Sequence, residues 1–353
     1  MKARGNAMKG RAAGACLRRA LRVLSLVALL VAVVSSVGAA EERRVSIGHP
    51  AMQPRVAPLW VAADRGLFAQ EGVEVTIVLI MGAPTLLASL TARELQFGYT
   101  GGSTVLAAFA GGLPVKMLAA FTNKVSFDFV ARPGITRPEE LRGKRVGVQS
   151  IGGPLWMGAM LGLEYLGLEP VRDKIHIQVV GAQPQLVQAL QAGAIDATVV
   201  DGIFSRPLKA QGYAILAELP TANIPFVGEG VVALKSTVEQ APQVVERVLR
   251  ALVRAVAFIQ QPGNREAVIQ ILARRLRIED PRRAEDGYRD MLQMIERKPY
   301  PSLEGLRNVQ RLLARQNPKV AALQVEDVVD TRFLRKLDEG GFIDGLLGTT
   351  GAR

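Results

Sequence analysis

Cysteine is almost absent from this chain. The one cysteine, Cys16, precedes an apolar run near the start. Disulfides, thiolate metal sites and a cysteine nucleophile are therefore excluded for everything downstream. Histidine is nearly as scarce, with only His49 and His176. That rules out a histidine-rich zinc site and leaves any Ser-His-Asp triad dependent on one of these two. No basic tract is interleaved with aromatics, so nucleic acid is not implied as a partner. No nucleophile elbow and no full dinucleotide fingerprint is present. No catalytic residue, cofactor or metal is therefore assigned.

The segment 1–40 reads as a secretory signal. Lys2, Arg4, Lys9, Arg11, Arg18, Arg19 and Arg22 form a basic start without an acid. Val23 to Val34 is an apolar run of about a dozen residues, too short to span a bilayer comfortably. Small residues from Ser35 to Ala40 then supply a cleavage site, expected before Glu41. Arg18-Arg19 also fits a twin-arginine route, but such pairs arise by chance in any basic start. Cys16 lies on the wrong side of the apolar run for a lipoprotein anchor. The whole chain carries +12, and the signal holds seven of these charges and no acid, which leaves about +5 for the mature part. That mild excess slightly favours anionic solutes or an anionic partner surface. With such a signal, export across a membrane is expected.

What the chain does have is an internal repeat, at a spacing of about 100 residues. Pro58-Leu59-Trp60 recurs as Pro154-Leu155-Trp156, and Gly82 to Gly102 aligns with Gly181 to Gly202. Leu86 answers Leu186, Leu90 answers Leu190, and Leu95 answers Ile195. Each copy reads strand, helix, strand, helix, strand. The first copy places strands near 45–48, 73–79, 95–100 and 115–121. The second places them near 144–148, 175–180 and 195–200. Pro58 and Pro154 sit well at the first helical position, where a missing N–H costs nothing. Chain crossings are expected near 127–132 and 226–231. From about Ser236 onward the pattern is helical. The segment after Pro242 has Val245, Leu249, Leu252 and Val256 on one face and Arg247, Arg250 and Arg254 on the other. The fold class is α/β, with two doubly wound lobes joined by two crossover strands and additional C-terminal helices. The expected boundaries are 41–128 with 230–353 for the first lobe and 129–229 for the second.

In open parallel sheets, ligands sit beyond the carboxyl ends of the strands. Four loops qualify: His49 to Ala57, Thr100 to Ser103, Gln149 to Gly153, and Asp201 to Ser205. Each leads into a helix N-terminus, whose free N–H groups suit a polar or anionic group. The candidate ligand residues on them are His49, Gln53, Thr100, Gly101, Gly102, Ser103, Gln149, Ser150, Gly152, Gly153 and Asp201. Glycines permit close backbone approach, although Gly-Ser before a helix is also ordinary capping chemistry. Trp156 and Phe204 are candidate walls, with core packing the alternative for Trp60 and Trp156. Glu229, at the second crossing, is either hinge or ligand contact. His176, inside a strand, reads as structural.

Several segments resemble a known family. They are "APLWVAADRGLFAQEGVEVTIV", "LTARELQFGYTGGS", "PEELRGKRVGVQ", "LQAGAIDATVVDG" and "DTRFLRKLDEGGFID". Together they look like solute-binding proteins of ABC importers, in the nitrate/sulfonate/taurine-like and thiamine-precursor-like group. The resemblance spans nearly all of Arg44 to Asp344. It implies the two-lobed periplasmic binding protein type II fold, a hinged trap that closes on a small organic or oxyanionic solute. It also implies an ABC permease as membrane partner, a monomer, and ligand residues on the four loops named above. A sulfonate, a nitrate-like anion, a pyrimidine or an aromatic acid would suit such a cleft. A periplasmic enzyme or a ligand sensor using the same cleft is the alternative. The chain lacks the cysteine-rich motif of the thiamine-precursor synthases that share this fold.

Overall fold

The computed structural model of this chain describes residues 44–348; the expected signal segment and its cleavage site lie outside them. Ten strands alternate with helices: β1 (Arg44–His49), β2 (Glu74–Leu79), β3 (Phe97–Thr100), β4 (Val115–Ala120), β5 (Asp128–Ala131), β6 (Arg145–Val148), β7 (His176–Val179), β8 (Ala197–Val200), β9 (Ala214–Glu218) and β10 (Gly230–Leu234). They form two five-stranded sheets, ordered β2-β1-β3-β10-β4 and β7-β6-β8-β5-β9. The architecture is α/β with two lobes.

The two orders are the same pattern. In each sheet the first strand of the copy pairs in parallel with the third. In each, one strand runs antiparallel between the third and fourth. That strand comes from the neighbouring copy's side of the chain: β10 follows the second copy and closes the first sheet, and β5 follows the first copy and closes the second. Even the irregularities match. The register slips between Val231 and Val232 against β4, and between Phe129 and Val130 against β9. β5 and β10 are thus sheet strands where the sequence suggests crossings. The passage between sheets falls just before each of them.

The passage is a two-stranded ribbon. Phe121 N–H donates to Glu229 O, Gly228 N–H to Thr122 O, Phe226 N–H to Asn123 O and Val125 N–H to Ile224 O, at 2.8–3.1 Å. Asn123 ties the ribbon to the C-terminal region, its amide donating to Tyr300 O at 2.7 Å and accepting from Ser302 N–H at 3.0 Å. Hinges form at loop and element-terminal residues such as these, so the ribbon is the candidate hinge between the lobes.

Alternation along the strands sends side chains to two cores. On one face of the first sheet, Ile47, Phe97, Tyr99 and Phe121 pack under the helices Ala57–Asp64 and Pro242–Gln260. The long helix buries Val245, Leu249, Leu252 and Val256, the face read from its period. On the other face, Leu86, Leu90 and Val105 join the second sheet's residues and the helix Leu303–Ala314 in one continuous core. That shared core holds both sheets in a single compact unit from Val45 onward. The C-terminal helices do not stay on the first lobe alone. Arg311 on Leu303–Ala314 makes a bidentate pair with Glu164 of the second lobe, at 2.7 and 2.8 Å. Arg206 of the second lobe likewise reaches Asp290 and Asp286 on the helix Pro281–Met294. Among the described residues no helix is long and apolar enough to cross a membrane.

Helix Pro154–Tyr165 lies against the hinge because it presents glycine there. A Cβ on Gly158 would stand 2.5 Å from the ring of Phe127, a fully buried residue at the end of the first passage. Gly→Ala raises stability by about 1 kcal/mol in an exposed helix. Here the sign reverses: Gly158→Ala should lower unfolding stability by about 1–3 kcal/mol through overpacking. Urea denaturation checks this, and a stabilised variant would contradict the packing described.

Candidate functional site

The loop after β1 carries a cation into the space between the sheets. Arg55 lies on the short 3-10 turn Pro54–Val56 and is only 7% exposed. The carboxyl end of β8 delivers Asp201, also buried, as the residue before helix Gly202–Ala210. The two form an ion pair between the lobes. Arg55 also donates to Ser126 Oγ at 3.1 Å and to the Gln53 side-chain oxygen. Its guanidinium lies 4.8 Å from the Phe127 ring centroid. Tyr99 OH donates to the Arg55 backbone carbonyl at 3.2 Å. Gln183, at the start of helix Gln183–Gln191, clamps Asp201 from behind: its side-chain oxygen accepts from Asp201 N–H at 2.7 Å while its NH2 group donates to the carboxylate.

A second carboxylate faces the same guanidinium. Glu229 Oε1 is 4.0 Å from Arg55 Nε, and Glu229 N–H donates to Thr122 Oγ1 at 2.8 Å within the hinge ribbon. Burial pushes the Glu229 carboxyl up, opposed by Arg55 and reinforced by Asp201. Burial also holds the Tyr99 phenol well above its ordinary range, with Glu229 adding to it. The centre therefore sets one guanidinium against two acids, so it has no spare positive charge.

Beyond Gly202 the cleft opens into a cavity of about 410 Å³, walled by Ser126, Asp128, Ser205, Arg206, Asp290 and Met294 among others. Ser205 Oγ–H donates to the Asp128 carboxylate. Burial raises the Asp128 pKa, against that hydrogen bond. Burial likewise pushes the Asp290 carboxyl up to about 7, against Arg206 and with Asp201, Asp128 and Asp286 adding to the rise.

The sequence-derived candidates divide into groups. Gln53, Asp201 and Glu229 meet around Arg55. Thr100 and Ser103 are buried at the end of β3, where Thr100 Oγ1 bonds Thr104 Oγ1 at 3.2 Å. Gly101 and Gly102 are approached by the second passage: a Cβ on Gly101 would meet Gly228 O at 3.0 Å, and Gly102 N–H donates to Val227 O at 3.0 Å. Gln149 and Ser150 are exposed, and Gly152 lies beside Leu313. Trp156 is buried in the shared core. Phe204 lines a shallow groove with Asp280 and Arg283. His49 is buried, edge-on to Trp60 at 5.8 Å, with Nδ1–H donating to Ala51 O at 2.9 Å. His176 stands exposed at the start of edge strand β7, where a strand-interior structural role was expected. Arg55, Gln183, Tyr99 and Ser126 escaped sequence reasoning. The available signal was Arg55 itself, a single charge between Pro54 and the apolar run Val56 to Ala63.

A family model described as NMT1/THI5 like matches residues 53–264, more than half of the chain. The chain belongs to the NMT1/THI5-like family. The matched span includes the Arg55 loop, Gln183, Asp201 and Glu229. The riboflavin-binding protein RibY of Chloroflexus aurantiacus is 26% identical over 208 residues, which cover 57% of this chain and 58% of RibY. The periplasmic aliphatic sulphonate binding protein SsuA from Escherichia coli superposes with a TM-score of 0.66 at 18% identity, over 82% of this chain and 92% of SsuA. The desulfurization enzyme DSZB superposes with a TM-score of 0.63 at 17% identity, over 84% of this chain and all of that one. At these identities the structural likeness is one of fold, and the fold serves both binding proteins and an enzyme.

Asp290 gives this NMT1/THI5-like protein a testable pH dependence. Its carboxyl titrates at about 7 when folded, against an ordinary value of 3.8. Between these values the folded protein holds a proton that the unfolded chain releases. This group's contribution to stability is thus full below pH 3.8 and is lost as pH rises through about 7. Asp290→Asn should flatten that component of the stability profile, measured by denaturation midpoints across pH 4–8. An unchanged slope would contradict the assignment.

Proposed function

We propose that this protein is a periplasmic solute-binding component of an ABC importer, trapping a small organic solute by lobe closure and delivering it to a permease. The observation that carries the reading is the buried Arg55–Asp201 pair between the carboxyl-end rims of two similar sheets, set beside a hinge ribbon. Family membership supports it, and so does its likeness to the binding proteins RibY and SsuA. The adjoining cavity of about 410 Å³ is of the size small-molecule sites occupy. In this reading the exposed Gln149 and Ser150 are further candidate solute contacts, while Thr100 and Ser103 are buried behind the centre.

The pair also limits the solute. A simple oxyanion would satisfy Arg55 but take its charge from Asp201, leaving that carboxylate with Gln183 alone and Glu229 close by. A buried charge stripped of its partner is costly. A solute with both an acceptor edge for Arg55 and a donor edge for Asp201 or Glu229 replaces the pair without that loss. Zwitterionic aminosulfonates and N–H-bearing heterocycles such as pyrimidines meet the requirement; nitrate does not.

The same geometry gives less support to an enzyme. The His49 ring proton is committed to Ala51 O and its ring to Trp60, while Asp201 bonds Arg55 and Gln183 rather than a histidine. A Ser103-His49-Asp201 triad is not assembled.

A thermal-shift screen tests the function. A true solute at about 100 times its Kd should stabilise the fold by about 2.7 kcal/mol. Donor–acceptor solutes should give the shifts and nitrate none. No shift across zwitterions and heterocycles, or a mass change in the recovered solute, would overturn the binding reading.

A further inference from the structure

A second cavity lies outside the cleft, on the flank of the first sheet beyond β1 and β2. Its volume is about 380 Å³. One wall is apolar, built from Met52, Trp60, Ile77 and Leu79. Met52 and Leu79 are 42% and 45% exposed, and their exposure is gathered on one wall rather than scattered. The opposite wall is the end of helix Arg265–Leu276, which brings Arg274, Arg275 and Arg277 to the cavity.

The charge here is unbalanced. Asp64 is the carboxylate that meets Arg274 and Arg275, bonding both. Burial would raise the Asp64 pKa, but the bonds from Arg275 and Arg274 hold it below its ordinary value. One anion thus serves two guanidiniums, and Arg277 forms no ion pair among the described residues. His49 adds no further positive charge, since burial lowers its pKa. The cleft centre sets two acids against one arginine; this cavity sets three arginines against one acid.

We propose that this cavity is a second ligand site, taking an organic anion in which a carboxylate, sulfonate or phosphate is joined to an apolar body. The guanidiniums, chiefly Arg277, hold the anionic head, and Met52, Ile77 and Leu79 cover the body. An inorganic anion leaves the apolar wall wet. A neutral apolar molecule gains nothing from the arginines. The site shares the loop 49–57 with Arg55 but none of the cleft's charged residues, so it stands or falls independently of the solute trap.

Naphthalene-2-sulfonate is a suitable probe, followed by isothermal titration on the purified protein. Saturable binding is expected. Arg277→Gly should weaken it about three- to fivefold, the range of a partly exposed ion pair. This variant keeps the backbone content, because Arg277 already has a φ of 53°, where glycine is at home. Leu79→Ser should weaken binding independently, and equimolar sulfate should not compete. Loss of affinity in both variants supports the site. Absence of saturable binding, equal affinity in wild type and both variants, or effective competition by sulfate would overturn it.

Discussion

One buried ion pair sets the terms for the rest of the structure. Arg55 and Asp201 are 146 residues apart in sequence, yet they meet between the two sheets with most of their surface removed from water. Desolvating both charges is expensive, and their attraction offsets the cost only when the remaining donors and acceptors are also filled. Ser126, Gln53 and Phe127 attend to the arginine, and Gln183 attends to the aspartate. Those attendants come from both sheets and from the hinge. The pair can therefore form only when the lobes are close. Breaking such a pair leaves an uncompensated buried charge, at a cost of about 3–5 kcal/mol unless water enters. Opening the lobes lets water in. The same pair thus ties the two lobes together, and in the proposed function it is the point where a solute would exchange.

The surrounding contacts act as secondary ties. Arg206 with Asp290 and Asp286, and Arg311 with Glu164, link the C-terminal helices to the second lobe on either side of the centre. They are more exposed than the central pair, and pairs of that kind contribute little individually. In the proposed closure they would bias its direction. The hinge ribbon, anchored through Asn123, fixes the axis.

The fold was legible where the pattern is local. Alternating apolar runs located the parallel strands, and Pro58 and Pro154 marked matching helix starts. β5 and β10 were read as crossings because nothing local reveals an antiparallel insertion; Phe129 finds its place only by pairing with Val199 and Ala217. The same distinction governs the site. Asp201 and Glu229 stand out as acids at strand and ribbon ends. Arg55 and Gln183 carry no motif, and their meaning lies in who faces them across the cleft. Gly101 and Gly102 show the opposite case, a ligand-like signal whose close approach is taken up by Val227 and Gly228. Asymmetry between the copies, rather than their likeness, defines the centre: the cation sits on one lobe and its carboxylate on the other.

If the Arg55–Asp201 pair sets the lobe equilibrium, its loss must change the separation of the lobes, which can be measured as an interlobe distance. The exposed residues Ala92 and Ala192 occupy matching turns of the two copies, and Cys16, the chain's own cysteine, falls in the expected signal. Spin labels on Ala92→Cys and Ala192→Cys therefore report the lobe separation by pulsed electron resonance. Without solute, the otherwise wild-type protein should give one narrow, short distance. Asp201→Ala should broaden it toward longer separations. The same narrow distribution in both proteins would show that the pair does not hold the lobes and would contradict the account.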